Sequence, residues 1–321
     1  YYLDRVPTPK LLVPAMQKIR PTVMLSVPLI IEKIYKTQVV PKFTSSRFMS
    51  ALYGFAPTRK ILNRLAGKKL MQTFGGEIIF FGIGGAKLDA TVEQFLREAK
   101  FPYAIGYGLT ETAPMSAGTA PKNTFLQGVG PAMQGVEIKI NEPDKTGQGE
   151  IWIKGPNVMK GYYKKPELTK ECITEDGWFK TGDLGSFDSK GRLSIRGRIK
   201  TMILGSSGEN IYPEEIESII NNFRFVSESL VVESKRKLVA MVHFNMEELE
   251  KNYKRFKSQA DCYKTVINDY IEEQKKELFE YVNSRVNNFS KLQLVVVQSE
   301  PFEKTPTHKI KRFLYNNVNI K

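Results

Sequence analysis

The apolar run Glu77 to Phe81 leads straight into Gly82-Ile83-Gly84-Gly85, and Asp89 then stands where its side chain can cap a helix over Ala90 to Glu98. A strand, a glycine turn and a helix in that order form half of a βαβ unit. Upstream, Pro7, Pro9 and Pro14 interrupt the opening residues. Arg20 to Pro28 then reads as a short buried strand, Leu29 to Tyr35 as the start of a helix, and Phe43 to Leu70 as a basic, helix-compatible stretch.

Two changes of texture follow. From Gly128 onward, Val136-x-Ile138-x-Ile140, Ile151-x-Ile153 and Leu193-x-Ile195 alternate with period two, which predicts half-buried antiparallel strands. Turns at Pro143 to Gly147 and Asp188 to Gly191 join them into a small β-rich subdomain. After Arg198, Pro213 opens a helix with Ile216, Ile219 and Ile220 on one stripe. Strands over Ser229 to Glu233 and Leu238 to Phe244 come next. A long helical stripe from Ile267 to Phe289 and a strand over Leu292 to Val297 complete the tail. The expected fold is α/β plus α+β: residues 1–199 form a partial large domain, and residues 200–321 a small domain.

At roughly 100 to 200 residues per domain, a chain of 321 residues has room for about two. Its two cysteines, Cys172 and Cys262, exclude a disulfide framework and a thiolate zinc site, so a reducing, cytoplasmic setting is the default. No stretch approaches the ~20 apolar residues of a bilayer crossing; Thr22 to Ile31 is short and contains Pro28. The net charge of +14 favours phosphate-rich partners. The positive charges read as spread along the chain and solvated. The first residue is Tyr1, with no signal-peptide pattern after it, and the chain is expected to start inside a larger protein.

Several motifs fail. Gly82-x-Gly84-x-x-Lys87 puts a lysine where a dinucleotide fingerprint needs its third glycine. No phosphate loop of the Gly-x-x-x-x-Gly-Lys-Ser/Thr kind occurs. Ser116 lacks the first glycine of a nucleophile elbow. With His243 and His308 the only histidines, neither a Ser-His-acid triad nor a histidine metal cluster is expected, and His243 reads as structural.

Four polar clusters remain: Gly106-Tyr107-Gly108-Leu109-Thr110-Glu111, Asp176 to Asp183, Gly197-Arg198-Ile199-Lys200, and Lys304 to Lys311 around Lys309. In this order, with Gly149 to Gly155 and Gly161-Tyr162-Tyr163 between them, they resemble the acyl-adenylate-forming superfamily. Thr305-Pro306-Thr307-His308-Lys309 and Ser206-Ser207-Gly208-Glu209-Asn210 look most like its long-chain fatty acid coenzyme A ligases.

The resemblance implies a large nucleotide-binding domain followed by a mobile lid, and an AMP-forming ligase using ATP, Mg2+ and coenzyme A. Gly84, Gly85 and Ala86 would lie against adenine. Gly106, Tyr107 and Gly108 would approach the nucleotide, Asp183 and Arg198 would reach the ribose, and Thr110 a phosphate oxygen. Glu111 would hold the metal. Lys309 would enter the active site during adenylation, Lys200 would be the hinge, and Ser207, Gly208 and Glu209 would sit near coenzyme A. The same chemistry is legible in the residues: charge builds on phosphorus oxygens when a carboxylate attacks ATP, so cations and donors are needed around them. A lone carboxylate suits magnesium, and a lysine is a mobile point charge.

The superfamily's Ser/Thr/Gly-rich phosphate loop is not found between Tyr1 and Phe81, so this stretch of chain alone is expected to be inactive. Leu204 stands where several relatives have a lysine used in thioester formation. Two other readings stay open at this point: an adenylating enzyme that loads a carrier-protein thiol, and a non-catalytic basic module. Peripheral contact with the inner face of an anionic membrane is compatible with a long-chain substrate. No specific nucleic acid partner is expected.

Overall fold

The computed structural model describes residues 9–44, 46–205, 208–250, 263–305 and 309–315. The chain divides into two units, Tyr1–Ile195 and Arg196–Lys321.

In the first unit, helices α1 (Pro9–Ile19), α2 (Pro28–Ile34), α3 (Val40–Phe43), α4 (Arg47–Gly54), α5 (Ala56–Thr73) and α6 (Ala90–Glu98) accompany a four-stranded sheet. Its strands lie in chain order: β1 (Val23–Ser26), β2 (Phe80–Ile83), β3 (Tyr103–Tyr107) and β4 (Ala117–Gly118). The first three are parallel and β4 runs antiparallel to β3. The α6 cap forms as expected, with Asp89 Oδ1 accepting from the amides of Thr91 at 2.8 Å and Val92 at 3.0 Å. Val92, Phe95 and Leu96 then bury one stripe of the helix.

Two expectations need correction here. The strand over Glu77 to Phe81 is displaced toward the glycines, because Gly82 and Ile83 pair with Leu25 and Ser26 of β1. The strand within Arg20 to Pro28 is not buried on both sides. Val23 is 56% and Leu25 80% exposed, since only the Met24 side of β1 packs on the core.

A second, antiparallel sheet runs β5 (Glu137–Asn141), β6 (Gly149–Lys154), β7 (Phe179–Phe187) and β8 (Leu193–Arg198), with α7 (Pro166–Cys172) ahead of β7. Ile151 and Ile153 alternate into its core as period two predicts. Asp183, which as an Asp after a glycine reads as a turn residue, is instead part of the nine-residue strand β7. A bulge explains the difference. Glu150 pairs with Leu184 and Trp152 with Lys180, so Thr181, Gly182 and Asp183 stand opposite Ile151 alone.

The second unit opens with a hairpin of β9 (Ile203–Leu204) and β10 (Asn210–Ile211), followed by α8 (Pro213–Asn221). Strands β11 (Val226–Ser234) and β12 (Lys237–Phe244) are antiparallel, and β13 (Leu294–Val297) joins β12 in parallel after α9 (Tyr263–Asn283). Ile216 and Ile220 from α8 and Leu278 and Val282 from α9 fill the core against this sheet. The expected stripe to Phe289 overshoots, because α9 ends at Asn283 and Phe289 sits in a separate turn, 45% exposed. His243 is structural, its Nδ1 lying 3.0 Å from the carbonyl of Gln298.

Candidate active site

Strand β3 delivers Gly106 and Tyr107 into a loop that cannot carry a side chain at Gly108. A Cβ there would stand 1.8 Å from the carbonyl oxygen of Pro114. The following turn, Thr110–Thr112, is locked by Thr112, whose buried hydroxyl accepts from the Leu109 amide at 2.9 Å. Asn157 spans the far side, its Nδ2 donating to the carbonyls of Thr112 at 3.0 Å and Met115 at 3.3 Å and to Ser116 Oγ at 3.2 Å.

This frame fixes Glu111 at both ends. Its carbonyl accepts from the Met159 amide at 2.8 Å, and its Oε1 accepts from the Tyr162 hydroxyl at 2.8 Å. Burial and the contact with Glu111 push the Tyr162 phenol up to about 12. Tyr162 is held by α7, where Thr169 Oγ1 accepts its amide at 2.9 Å. Thr110 is exposed beside Glu111.

The β7 bulge brings Asp183 to the same loop. Gly182 takes a positive φ of 69°, its amide donates to Glu150 Oε1 at 2.9 Å, and Thr181 Oγ1 donates to the Ile151 carbonyl at 2.7 Å. Asp183, only 6% exposed, thereby receives the Tyr107 hydroxyl on Oδ2 at 2.7 Å. Gly84 lies against Gly106, whose carbonyl oxygen would be 3.5 Å from an added Cβ, and Gly85, at φ 88°, and Ala86 follow on the surface. The first unit thus gathers Gly84, Gly106, Tyr107 and Asp183, with Glu111 next along the same loop.

The remaining candidates belong to the second unit. Arg198 ends β8 and Lys200 lies in the turn Ile199–Thr201, both exposed. The turn is tied to α8 by Thr201 Oγ1, which donates to Glu214 Oε1 at 2.7 Å. Gly208 and Glu209 close the β9–β10 hairpin, while Ser207 lies outside the described residues. Lys309 sits where Lys304 pairs with Ile310. Around it Lys304 pairs with Glu228, Lys311 with Glu303 at 3.3 Å, and Arg312 with Glu217. The Lys309 side chain is exposed and has no such partner among the described residues.

Tyr162, Asn157, Thr112 and Glu150 escaped the sequence reading as functional positions. The only signal for Tyr162 was its place in Gly161-Tyr162-Tyr163, which says nothing of a partner 51 positions away.

Comparison with known proteins shows the family of the chain. The profile of the family described as AMP-binding enzyme matches residues 1–163, just over half of the chain, so the chain belongs to the AMP-binding enzyme family of adenylate-forming proteins. It is 30% identical over 281 residues to long-chain-fatty-acid–CoA ligase 1 of Saccharomyces cerevisiae, covering 81% of this chain and 40% of that protein. It is 32% identical over 281 residues to fatty acyl-CoA synthetase A of Dictyostelium discoideum, covering 79% of this chain and 42% of that protein. The chain therefore spans less than half the length of these relatives. Among solved structures, O-succinylbenzoate coenzyme A synthetase of Bacillus subtilis, in complex with ATP and magnesium ion, shares the fold with a TM-score of 0.67 and 22% identity. That match covers 95% of this chain and 54% of the other.

Proposed function

We propose that the whole protein is an AMP-forming ligase that joins a long-chain fatty acid to coenzyme A through an acyl-adenylate. The observation that carries this reading is the 2.7 Å contact between Tyr107 and Asp183. It brings together two residues that the family resemblance gives to one nucleotide, in a chain whose relatives are named for long-chain acyl-CoA synthesis.

The residues fit ATP. Gly84, Gly85, Ala86, Gly106 and Gly108 leave backbone open to a flat base, and the Tyr107 ring offers it a stacking surface. Asp183, held at its Oδ2 by Tyr107, presents an acceptor carboxylate for ribose hydroxyls. Arg198 adds donors for the same sugar, and Thr110 can donate to a phosphate oxygen. They also fit a magnesium ion. No group of three or more His, Cys, Asp or Glu able to enclose a metal exists among the described residues, and Glu111 offers one carboxylate, as suits an ion that keeps water and phosphate as most of its ligands. Bound magnesium would neutralise charge on the triphosphate.

Lys309 is proposed as the ammonium that steadies the attacking carboxylate and the α-phosphate while the adenylate forms. Lys200 is proposed as the hinge and residues 200–321 as the mobile lid, with Ser207, Gly208 and Glu209 toward coenzyme A. The protein would act without crossing a membrane in the described part, where no helix is long and apolar enough to do so. The test is pyrophosphate release by the whole protein with acids of increasing length, then thioester formation with coenzyme A or a carrier protein as acceptor. Decanoate to oleate should outperform acetate, and coenzyme A should accept the acyl group. Preference for acetate or an amino acid would overturn the substrate, and preference for the carrier would overturn the acceptor.

A further inference from the structure

Helix α5 gives inward positions to the polar Asn63 and to Gly67 beside Leu70, and turns the apolar Ile61 and Leu65 outward. Asn63, Gly67 and Leu70 form its buried stripe. Asn63 Nδ2 donates to Glu98 at 2.7 Å, and a Cβ on Gly67 would stand 2.7 Å from that of Ala99. Close approach to α6, with a buried polar contact, holds this helix in place. On the outward side Ile61 and Leu65, one turn apart, are each 59% exposed; the first turn of α4 adds Phe48 at 71% and the α4–α5 corner Phe55 at 63%. A surface helix ordinarily gives its polar side to water, and grouped large apolar side chains mark a contact surface.

Charge identifies what meets it. Residues 33–76 contain nine Lys and Arg and no Asp or Glu, against a net charge of +14 for the whole chain. The positive charges are spread along the chain, but in this stretch no acidic residue offsets them. Lys60, Arg64, Lys68 and Lys69 are exposed around Ile61 and Leu65, with no ion-pair partner among the described residues. An open cleft of about 620 Å³ lined by Thr37, Gln38, Pro41, Lys42 and Lys69 adjoins the end of the same helix.

We propose that the α4–α5 hairpin docks on an anionic phospholipid bilayer, its apolar side chains entering the headgroup boundary and its Lys and Arg meeting lipid phosphates. Nucleic acid would account for the charge and could stack on Phe48 and Phe55, but it would leave the aliphatic Ile61 and Leu65 in water, where a bilayer would cover them. The surface contains none of the residues assigned to adenylation, so it stands or falls independently of the catalytic reading.

The test is binding of the whole protein to vesicles of phosphatidylcholine alone or with about 30% phosphatidylserine, at about 0.1 and 0.5 M salt. The anionic vesicles should bind at least about tenfold tighter at the lower salt, and the advantage should vanish at the higher. Lys60→Glu/Arg64→Glu/Lys68→Glu should abolish the preference, and Ile61→Ser/Leu65→Ser should weaken binding several-fold, both with unchanged adenylate formation in vesicle-free buffer. As a probe that does not depend on either variant, Leu65→Trp should show a blue shift with anionic vesicles only. Wild-type vesicle binding by the charge-reversed protein, an unchanged Leu65→Trp spectrum, or a preference for random duplex DNA lost in the same variants would overturn the proposal.

Discussion

Tyr107 and Asp183, 76 residues apart in sequence, meet phenol to carboxylate at 2.7 Å, one from a parallel strand and the other from a bulge in an antiparallel one. Asn at position 183 would keep the shape and still accept from Tyr107, but would lose the charge offered to ribose. Asp183→Asn should therefore fold normally and raise KM for ATP about 10- to 100-fold, the effect of losing one hydrogen bond to a charged group, about 1.5–3 kcal/mol. Steady-state kinetics at saturating fatty acid measures it, and an unchanged KM would place the ribose elsewhere.

Gly108→Ala should be far more damaging than its size suggests. The new Cβ would fall 1.8 Å from the Pro114 carbonyl oxygen, a backbone atom that no side-chain rotation can move aside. The loop must shift and carry Glu111 out of line with its partners. Adenylate formation should drop by at least about 100-fold, as for other small displacements of reacting groups. Gly54→Ala, with no atom beyond its chain neighbours and its own helix backbone within 4 Å of the added carbon, is the control and should leave activity intact. Equal activities for the two variants would show that the loop tolerates rearrangement.

Glu32 on α2 accepts the Asp89 amide at 2.9 Å, at the end of the loop that begins with Gly84. Burial raises its carboxyl to about 7 from 4.5; the Asp89 amide opposes the shift and the Asp89 charge adds to it. The folded state thus holds a proton that the unfolded chain has released, so this contribution is full below the unfolded value and is lost as pH rises through about 7. Glu32→Gln keeps the acceptor and removes the titration. It should match the wild type near pH 4 to 5 and be more stable by an amount on the order of 2 to 3 kcal/mol at about pH 8. Urea unfolding at both ends checks this; parallel pH dependence in the two proteins would contradict it.

What could be read in advance was local. The α6 cap needs only Asp89 and the two amides after it, and the alternation of Ile151 and Ile153 needs only the pleat of one strand. The β7 bulge was hidden because the positive φ of Gly182 goes with the bond of its own amide to Glu150 and that of its neighbour Thr181 to Ile151, both on another strand. The pairing of Glu111 with Tyr162 was hidden for the same reason. The outward apolar side of α5 was hidden too, since period alone gives the presence of a stripe and not the side that is covered; there Asn63 and Gly67 won the inward position through Glu98 and Ala99.

Lys309→Ala should separate the two half-reactions. Its neighbours Lys304, Lys311 and Arg312 are committed to carboxylates within the second unit, and the proposed task of Lys309 belongs to adenylation alone. Loss of a charge-stabilising contact of this kind costs about 100- to 1,000-fold in rate, while preformed acyl-adenylate and coenzyme A should react at near the normal rate. Rapid-quench kinetics of each step decides. Equal losses in both would mean that the lysine supports the fold and that lid movement is the wrong mechanism.

The most direct measurement of the account is a single turnover of the whole protein with ATP, magnesium and palmitate, first without coenzyme A and then chased with it. The account predicts enzyme-bound palmitoyl-adenylate forming together with pyrophosphate, then its conversion to palmitoyl-coenzyme A and AMP on the chase. Release of ADP and phosphate, or pyrophosphate release that does not depend on the fatty acid, would contradict it.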